Sequence, residues 1–316
     1  MSITRRRILL GAGAAAIGGG ALGLYYFRPV LLRRDASGAV VRDLRLPADP
    51  SLPEMAIAAS ETDPAALTEK AIAAMGPFSR FVRKGEVVLI KPNIGWVRAP
   101  ITAANTNPEV VAALVRAALG AGAKRVIVAD GSCDDAEKSY ERSGIAARAS
   151  DAGAEVILPG PERFRELTLH GRRIERWPIL SAALDVDRVI NVPVAKHHAL
   201  SRITGALKNW FGILGGNRHQ LHGNLSAAIA DANRFLRPTL TVVDATRVLL
   251  RNGPKGGNIA DTAVKSTVIA SLDPVAADAF AATLLGVAPA DVSHLVTAEA
   301  EGLGTIDWAR LRSRRV

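Results

Sequence analysis

Short apolar runs recur along this chain, most of them ending on a residue that can do chemistry, and helical segments separate them. Val87–Pro92 carries Lys91, Lys124–Asp130 ends on an acid, Arg188–Val194 runs towards Lys196, and Leu240–Asp244 ends on a second acid. Ala154–Leu158 and Val264–Ala270 have the same look. Such runs, too short for helices and largely apolar, read as strands. Between them lie helical patterns. Asn107-Pro108 is a cap followed by a proline at the first helical position, and Val111, Leu114, Val115 and Leu119 keep helical spacing up to Gly120 and Gly122. Further helices are predicted at Pro64–Met75, Tyr140–Ala152 and from Asp273-Pro274 to Leu285, with a hairpin over Arg163–Arg176 turning near His170-Gly171. This alternation predicts an α/β fold: a mostly parallel sheet flanked by helices, a Rossmann-like three-layer sandwich. Only 4% of residues are aromatic, so Ala, Val, Leu and Ile must fill the core.

The formal net charge of +10 does not describe the body of the chain. Arg5, Arg6, Arg7, Arg28, Arg33 and Arg34 precede the first acid, Asp35, and Arg310, Arg312, Arg314 and Arg315 follow the last, Asp307. Those six and four charges together equal the whole excess. A near-neutral body without an aromatic-studded basic stripe argues against a nucleic-acid partner. Basic ends flanking an apolar segment fit an anionic membrane surface better. Residues 1–34 have the form of an export signal: the basic stretch Arg5-Arg6-Arg7, then an apolar Gly/Ala-rich run from Ile8 to Phe27, expected to form one helix with few contacts to the body. The arginine pair followed by Arg7-Ile8-Leu9 resembles a twin-arginine signal, which implies the twin-arginine translocation machinery as a partner and export across a bacterial inner membrane. The run is long enough to span a bilayer, and Tyr25, Tyr26 and Phe27 stand where an interfacial belt would lie, so a membrane anchor fits as well as a cleaved signal. Residues 35–60 read as a polar, Pro-containing linker, and residues 61–316 as the α/β domain.

Ligands of such folds bind outside the carboxyl ends of the strands, where Lys91, Asp130, Lys196 and Asp244 are all expected. The densest group of reactive side chains runs from Lys196 to His222. It holds four of the six histidines (His197, His198, His219, His222) together with Lys208 and Asn209. Imidazole binds borderline metals and moves protons near neutral pH, and a desolvated lysine can hold an anion or act as a nucleophile. On an extended strand His197 and His198 point to opposite sides, so one of them should face the site. His219 and His222 are three apart and can share a helical face. His170 and His294 stand alone and read as structural. The loop Asn252–Gly257 lacks phosphate-loop spacing and reads as a turn. Gly131-Ser132-Cys133 lacks the spacing of a nucleophile elbow. Cys133 is the only cysteine, which excludes an intrachain disulfide and an iron–sulfur cluster held by this chain alone.

Val88–Asn93, Lys196-His197-His198, Thr204–Asn209 with Gly212, and Asp273-Pro274 with Asp278, in that order and spacing, resemble domain of unknown function 362 over about residues 85–305. Members that carry a ferredoxin-type domain need cysteines this chain lacks. A more distant likeness is to the lactate racemases, the nickel-pincer enzymes: His198 and Lys208 keep their His-to-Lys spacing and His222 falls near the place of a nickel-binding histidine. Cys133 stands where those enzymes have a catalytic histidine. This likeness implies a cofactor site of similar layout rather than racemase activity.

Taken together, the residues predict a small-molecule site. Lys91, His198 and Lys208 are the candidate catalytic groups. Asn93, Asp130, Lys196, Asn209 and Asp244 are the candidate ligand-holding groups, and His198 and His222 the candidate metal ligands. Lys91, His198, Lys208 and His222 are expected to converge on one cleft. The cofactor stays open between a metal and a small anion. The alternative is an accessory protein that binds such a ligand at the membrane without turnover. Replacing Arg5 and Arg6 together by Lys should stop export and leave folded protein in the cytoplasm, as fractionation would show; undiminished export would mean that a general secretory signal suffices.

Overall fold

The computed structural model describes residues 33–34 and 40–316. The signal or anchor helix expected before Arg28 lies outside the described residues. Among the described residues no helix is long and apolar enough to cross a membrane.

In chain order, β1 (Arg33–Arg34), β2 (Val40–Asp43) and β3 (Met55–Ala59) precede α1 (Pro64–Ala74). Then come β4 (Val87–Pro92), α2 (Pro108–Gly120), β5 (Arg125–Ala129), α3 (Ala136–Arg142), α4 (Ile145–Asp151) and β6 (Glu155–Ile157). A hairpin of β7 (Phe164–Thr168) and β8 (Arg176–Leu180) leads to β9 (Arg188–Val192), β10 (Val194–His198), β11 (Arg202–Thr204) and the short α5 (Ala206–Asn209). After α6 (Leu225–Phe235) follow β12 (Leu236–Arg237), β13 (Leu240–Leu249), β14 (Thr262–Ser271), α7 (Pro274–Leu284), α8 (Ser293–Ala300) and β15 (Ser313–Arg315).

The main sheet has the order β15-β3-β14-β13-β9-β4-β5-β6, with β10 and β11 added beside β13. From β13 through β9, β4 and β5 to β6 every pair is parallel, and β14 runs against both its neighbours. The fold is thus α/β with mostly parallel strands and helices on both faces. Period-2 alternation sorts the central strands between two cores. Val88 and Ile90 of β4 join Val126 and Val128 of β5 under α1, α2 and α4, against Leu67, Val111 and Leu114. Leu89, Ile127, Ala129 and Val189 face the other way, against Trp210, Ile229 and Val275. Lys91 is two residues beyond Leu89 and so points to this second face, where α5 lies.

Several expectations change. The segment 35–60 is not merely a linker: Met55–Ala59 pairs with both β14 and β15 and is buried through Ala58. Its sequence, Met-Ala-Ile-Ala-Ala, is too Ala-rich to announce a strand. The helix expected over Tyr140–Ala152 is two helices, divided where Gly144 takes φ 72°. The strand towards Lys196 is interrupted at Pro193, and Lys196 belongs to β10 rather than to a loop. Asp244 sits mid-strand, since β13 continues to Leu249.

If residues 55–59 are a structural strand, Ile57→Ala should cost about 2–4 kcal/mol in chemical unfolding, the range for truncating a buried aliphatic side chain. Unchanged stability would return the segment to linker status.

Candidate functional site

A buried ion pair organises the carboxyl edge of the sheet. Lys91, at the end of β4, is fully buried and lies 2.5 Å from Asp130, which follows β5. The Lys91 ammonium also donates to Asn209 Oδ1 (3.0 Å) and Pro92 O (2.9 Å). The same Asn209 oxygen accepts from Asn93 Nδ2 (3.2 Å), and Asn93 Oδ1 accepts from Lys196 (2.9 Å). Asn209 Nδ2 donates to Asn191 Oδ1 (2.8 Å). One connected polar chain therefore runs Asp130–Lys91–Asn209–Asn93–Lys196.

α5 is placed by a carboxylate from another element. Asp278, buried in α7, accepts from the backbone N–H groups of Ala206 (2.5 Å) and Leu207 (2.9 Å). Burial pushes its pKa up to about 7. Two glycines let α5 and the turn after it sit this close to buried carboxylates. A Cβ on Gly205 would lie 2.1 Å from Asp278 Oδ1, and one on Gly212 would lie 1.8 Å from Asp130 Oδ1. The spacing Thr204–Asn209, Gly212 and Asp278 is a packing requirement that carries Lys208 and Asn209 to the sheet edge.

In front of this scaffold opens a cavity of about 740 Å³ lined by Asn93, Asp130, Lys196, His198, Lys208, Asn209 and His222, together with Trp96, Cys133, Phe211 and Arg218. Of the four side chains expected to converge, His198, Lys208 and His222 line the cavity. Lys91 does not: it is sealed behind the cavity by Asp130 and Asn209, and burial lowers its pKa against the pull of Asp130. It holds the scaffold rather than a ligand. Asp244 does not reach the cavity either. Its carboxylate accepts from the Asn107 N–H (2.7 Å) and from Thr246 Oγ1 (2.7 Å), fixing the start of α2, and burial raises its pKa.

The lysines at the cavity carry different loads. Lys196 is satisfied by Asn93 and by the carbonyl of Ala104, and burial brings it down to about 7. Lys208 is only 9% exposed. Its ammonium lies 4.7 Å from the centre of the Phe211 ring and has no hydrogen-bond acceptor or carboxylate partner among the described residues. Burial lowers it to about 8, so it remains largely charged at pH 7. Arg218 adds a second cation, holding Gly131 O (3.0 Å) and Ser132 O (2.6 Å). Spacing did not mark Arg218 or Phe211; they become visible only when the loop after α5 folds back.

The histidines divide by tautomer. His198 Nδ1 accepts from the N–H groups of Leu200 (3.1 Å) and Ser201 (3.3 Å), and burial holds its pKa near 3. A neutral ring accepting at Nδ1 carries its proton on Nε2, so His198 offers a donor. His222 Nδ1 lies 3.2 Å from the carbonyl of His219 and must donate to it, which leaves Nε2 as an acceptor. Burial lowers His222 below the usual imidazole value, so it is unprotonated at neutral pH. Its ring stacks on that of His219, with centroids 5.6 Å apart. His197 turns away and accepts from the N–H of Gly253 (3.1 Å), seating the Asn252–Gly257 loop at the rim through Pro254. His170 pairs with Glu175 at the surface, and His294 is buried on α8.

The donor set does not fit a metal held by side chains. Among the described residues no group of three or more His, Cys, Asp and Glu side chains could hold a metal ion. His198, expected as one ligand, has both nitrogens committed, one to backbone donors and one to its proton. His222 at the cavity, whose Nε2 is free to accept, keeps a nitrogen to spare for a metal, and one histidine alone does not make a side-chain-held centre.

The family model for "Domain of unknown function (DUF362)" matches residues 88–283, a stretch that contains every cavity residue named above. The chain belongs to this family. A thylakoid-associated protein of Synechocystis sp. is 27% identical over 239 residues, 72% of each chain. The lactate racemase apoprotein of Thermoanaerobacterium thermosaccharolyticum is a structural neighbour at 14% identity and TM-score 0.38, covering 67% of this chain; the chain spans 55% of that protein.

The depressed pKa of Lys196 has a consequence for stability. The unfolded lysine, near 10.5, binds a proton that the native one has lost above about pH 7. Folding stability from this group must therefore rise as pH increases from about 7 to 10. Lys196→Met should be more stable than wild type at pH 7 in urea unfolding, and that gap should shrink by on the order of 2 kcal/mol by pH 9.5. A gap independent of pH would show that the native lysine keeps an ordinary pKa.

Proposed function

We propose that the cavity binds a small carboxylate- or phosphate-bearing ligand and moves a proton on it. The observation that carries this reading is Lys208: a nine-tenths buried lysine, charged at neutral pH, that lines the cavity and has no carboxylate partner of its own among the described residues, Asp130 being paired with Lys91. Isolated buried charge is costly, and an anionic ligand removes the cost. Arg218 and Lys196 add to the attraction. The neutral His222, with Nε2 free to accept, takes the proton, and His198, donating from Nε2, stabilises the oxygen on which charge develops.

The body works outside the cytoplasm, delivered by the twin-arginine machinery and tethered or released at the membrane. The Arg5-Arg6 pair and the apolar run behind it support this, as does a relative named as thylakoid-associated. Basic residues at the chain's end suit an anionic lipid surface.

Calorimetric titration with inorganic phosphate and with oxalate tests the binding. Affinity should fall as pH is raised from 6.5 to 9, because Lys196 and Lys208 lose their protons over that range. Lys208→Met should weaken binding by about tenfold or more, the worth of one charged hydrogen bond. Binding that ignores both pH and this substitution would remove Lys208 from the site.

A further inference from the structure

We propose that Cys133 is the nucleophile of this cavity and that its partner is a small carbonyl compound bearing a carboxylate. This rests on the anion-binding reading of the same cavity and adds a covalent step to it. The thiol is exposed and lies on the loop that leaves β5 at the carboxyl edge of the sheet, and it lines the cavity. Its position is set by the backbone: the Cys133 N–H donates to Gly95 O (2.9 Å). Arg218 Nη2 lies 3.9 Å from Sγ, and Lys196 and Lys208 are within electrostatic reach of it. A thiolate is the reactive form of cysteine, and reactive cysteines sit in such electropositive, accessible places. Of the neighbouring groups that could compete, two are occupied, and Lys208 is largely protonated at neutral pH, which leaves it no lone pair to attack with. The Ser132 hydroxyl donates to Ile94 O (2.6 Å), and the Lys196 amine is held by Asn93 and Ala104.

The second, independent observation is again Lys208, buried to nine-tenths and without an acceptor of its own. One sulfur does not need Lys208, Arg218 and Lys196 together. The surplus positive charge suits a ligand carrying a carboxylate and, once attacked, an oxyanion. In the step, the C–S bond forms as the carbonyl π bond breaks, and its electron pair goes to oxygen. The proton lost by the thiol ends on that oxygen, and the positive charge of Lys208 favours the electron pair as it arrives there. The product is a thiohemiacetal, nothing else is consumed, and the addition is reversible.

The test uses the whole protein and its single thiol, with glutathione measured in parallel. First, the ratio of alkylation rates by iodoacetate (anionic) and iodoacetamide (neutral) is compared with the ratio for glutathione. It should exceed that of glutathione by about tenfold or more at low salt, the lower end of electrostatic steering. It should fall with added salt and fall in Lys208→Met, whose native unfolding temperature is verified. A ratio equal to that of glutathione overturns the proposal. Second, glyoxylate should protect Cys133 from iodoacetamide at concentrations at least about tenfold below those at which glycolate does, and below those at which it protects glutathione, a margin of one charge-assisted contact. Equal protection by the two acids would overturn the covalent step and leave anion binding standing. Protection by neither, with no phosphate or oxalate binding, would remove the anion reading itself.

Discussion

The Lys91–Asp130 pair is the contact on which the rest of the site depends. Two opposite charges removed from water at adjacent strand ends are tolerable only when their remaining hydrogen-bonding capacity is met. Here Asn209 and the Pro92 carbonyl complete Lys91, and the backbone N–H of Ile94 donates to the second oxygen of Asp130 at 2.6 Å. Losing either partner would leave a buried charge behind and disconnect β4, β5 and α5 together. Gly212 is part of the same constraint, since its missing side chain is what lets the α5 turn close over Asp130.

That scaffold explains how a cavity can carry so much unneutralised positive charge. The acidic group nearest the lysines, Asp130, is already spent on Lys91. Asp278, another buried carboxylate, is turned to the backbone of α5. Lys208 is delivered by a one-turn helix whose N–H groups are tied to α7, so its position follows from packing remote from the cavity. The family's short motifs thus divide into two kinds. Lys91, Asn209, Gly205, Gly212 and Asp278 build the frame, while His198 and Lys208 face the space in front of it.

Much of the architecture was legible in the sequence. β4 occupies the run read as a strand, the cap at Asn107 starts α2 with its side chain accepting from Glu109, and α7 starts behind the Asp273 cap. Alternation along β10 separates His198 from His197, and helical spacing brings His219 beside His222. What stayed hidden has physical reasons. A lysine at a strand end looks the same whether it faces a cavity or is sealed in an ion pair, and Asp130, which decides the matter for Lys91, is 39 positions away. Asp244 looked terminal because the apolar run thins there, although sheet pairing carries β13 on to Leu249. The strand at Met55–Ala59 gains its identity from the two strands beside it, not from its own side chains. Arg218 sits in a polar segment whose spacing has no period, and only the closure of that segment over Gly131 and Ser132 brings its guanidinium to the cavity.

The central claim is that Lys208 is a charged, desolvated amine waiting for an anion. NMR titration of the protein labelled at lysine Cε, with the Lys208 signal assigned by its loss in Lys208→Met, measures this directly. The account predicts a pKa of about 8 in the free protein that moves upward when inorganic phosphate is added. A lysine near the ordinary 10.5, indifferent to phosphate, would contradict it.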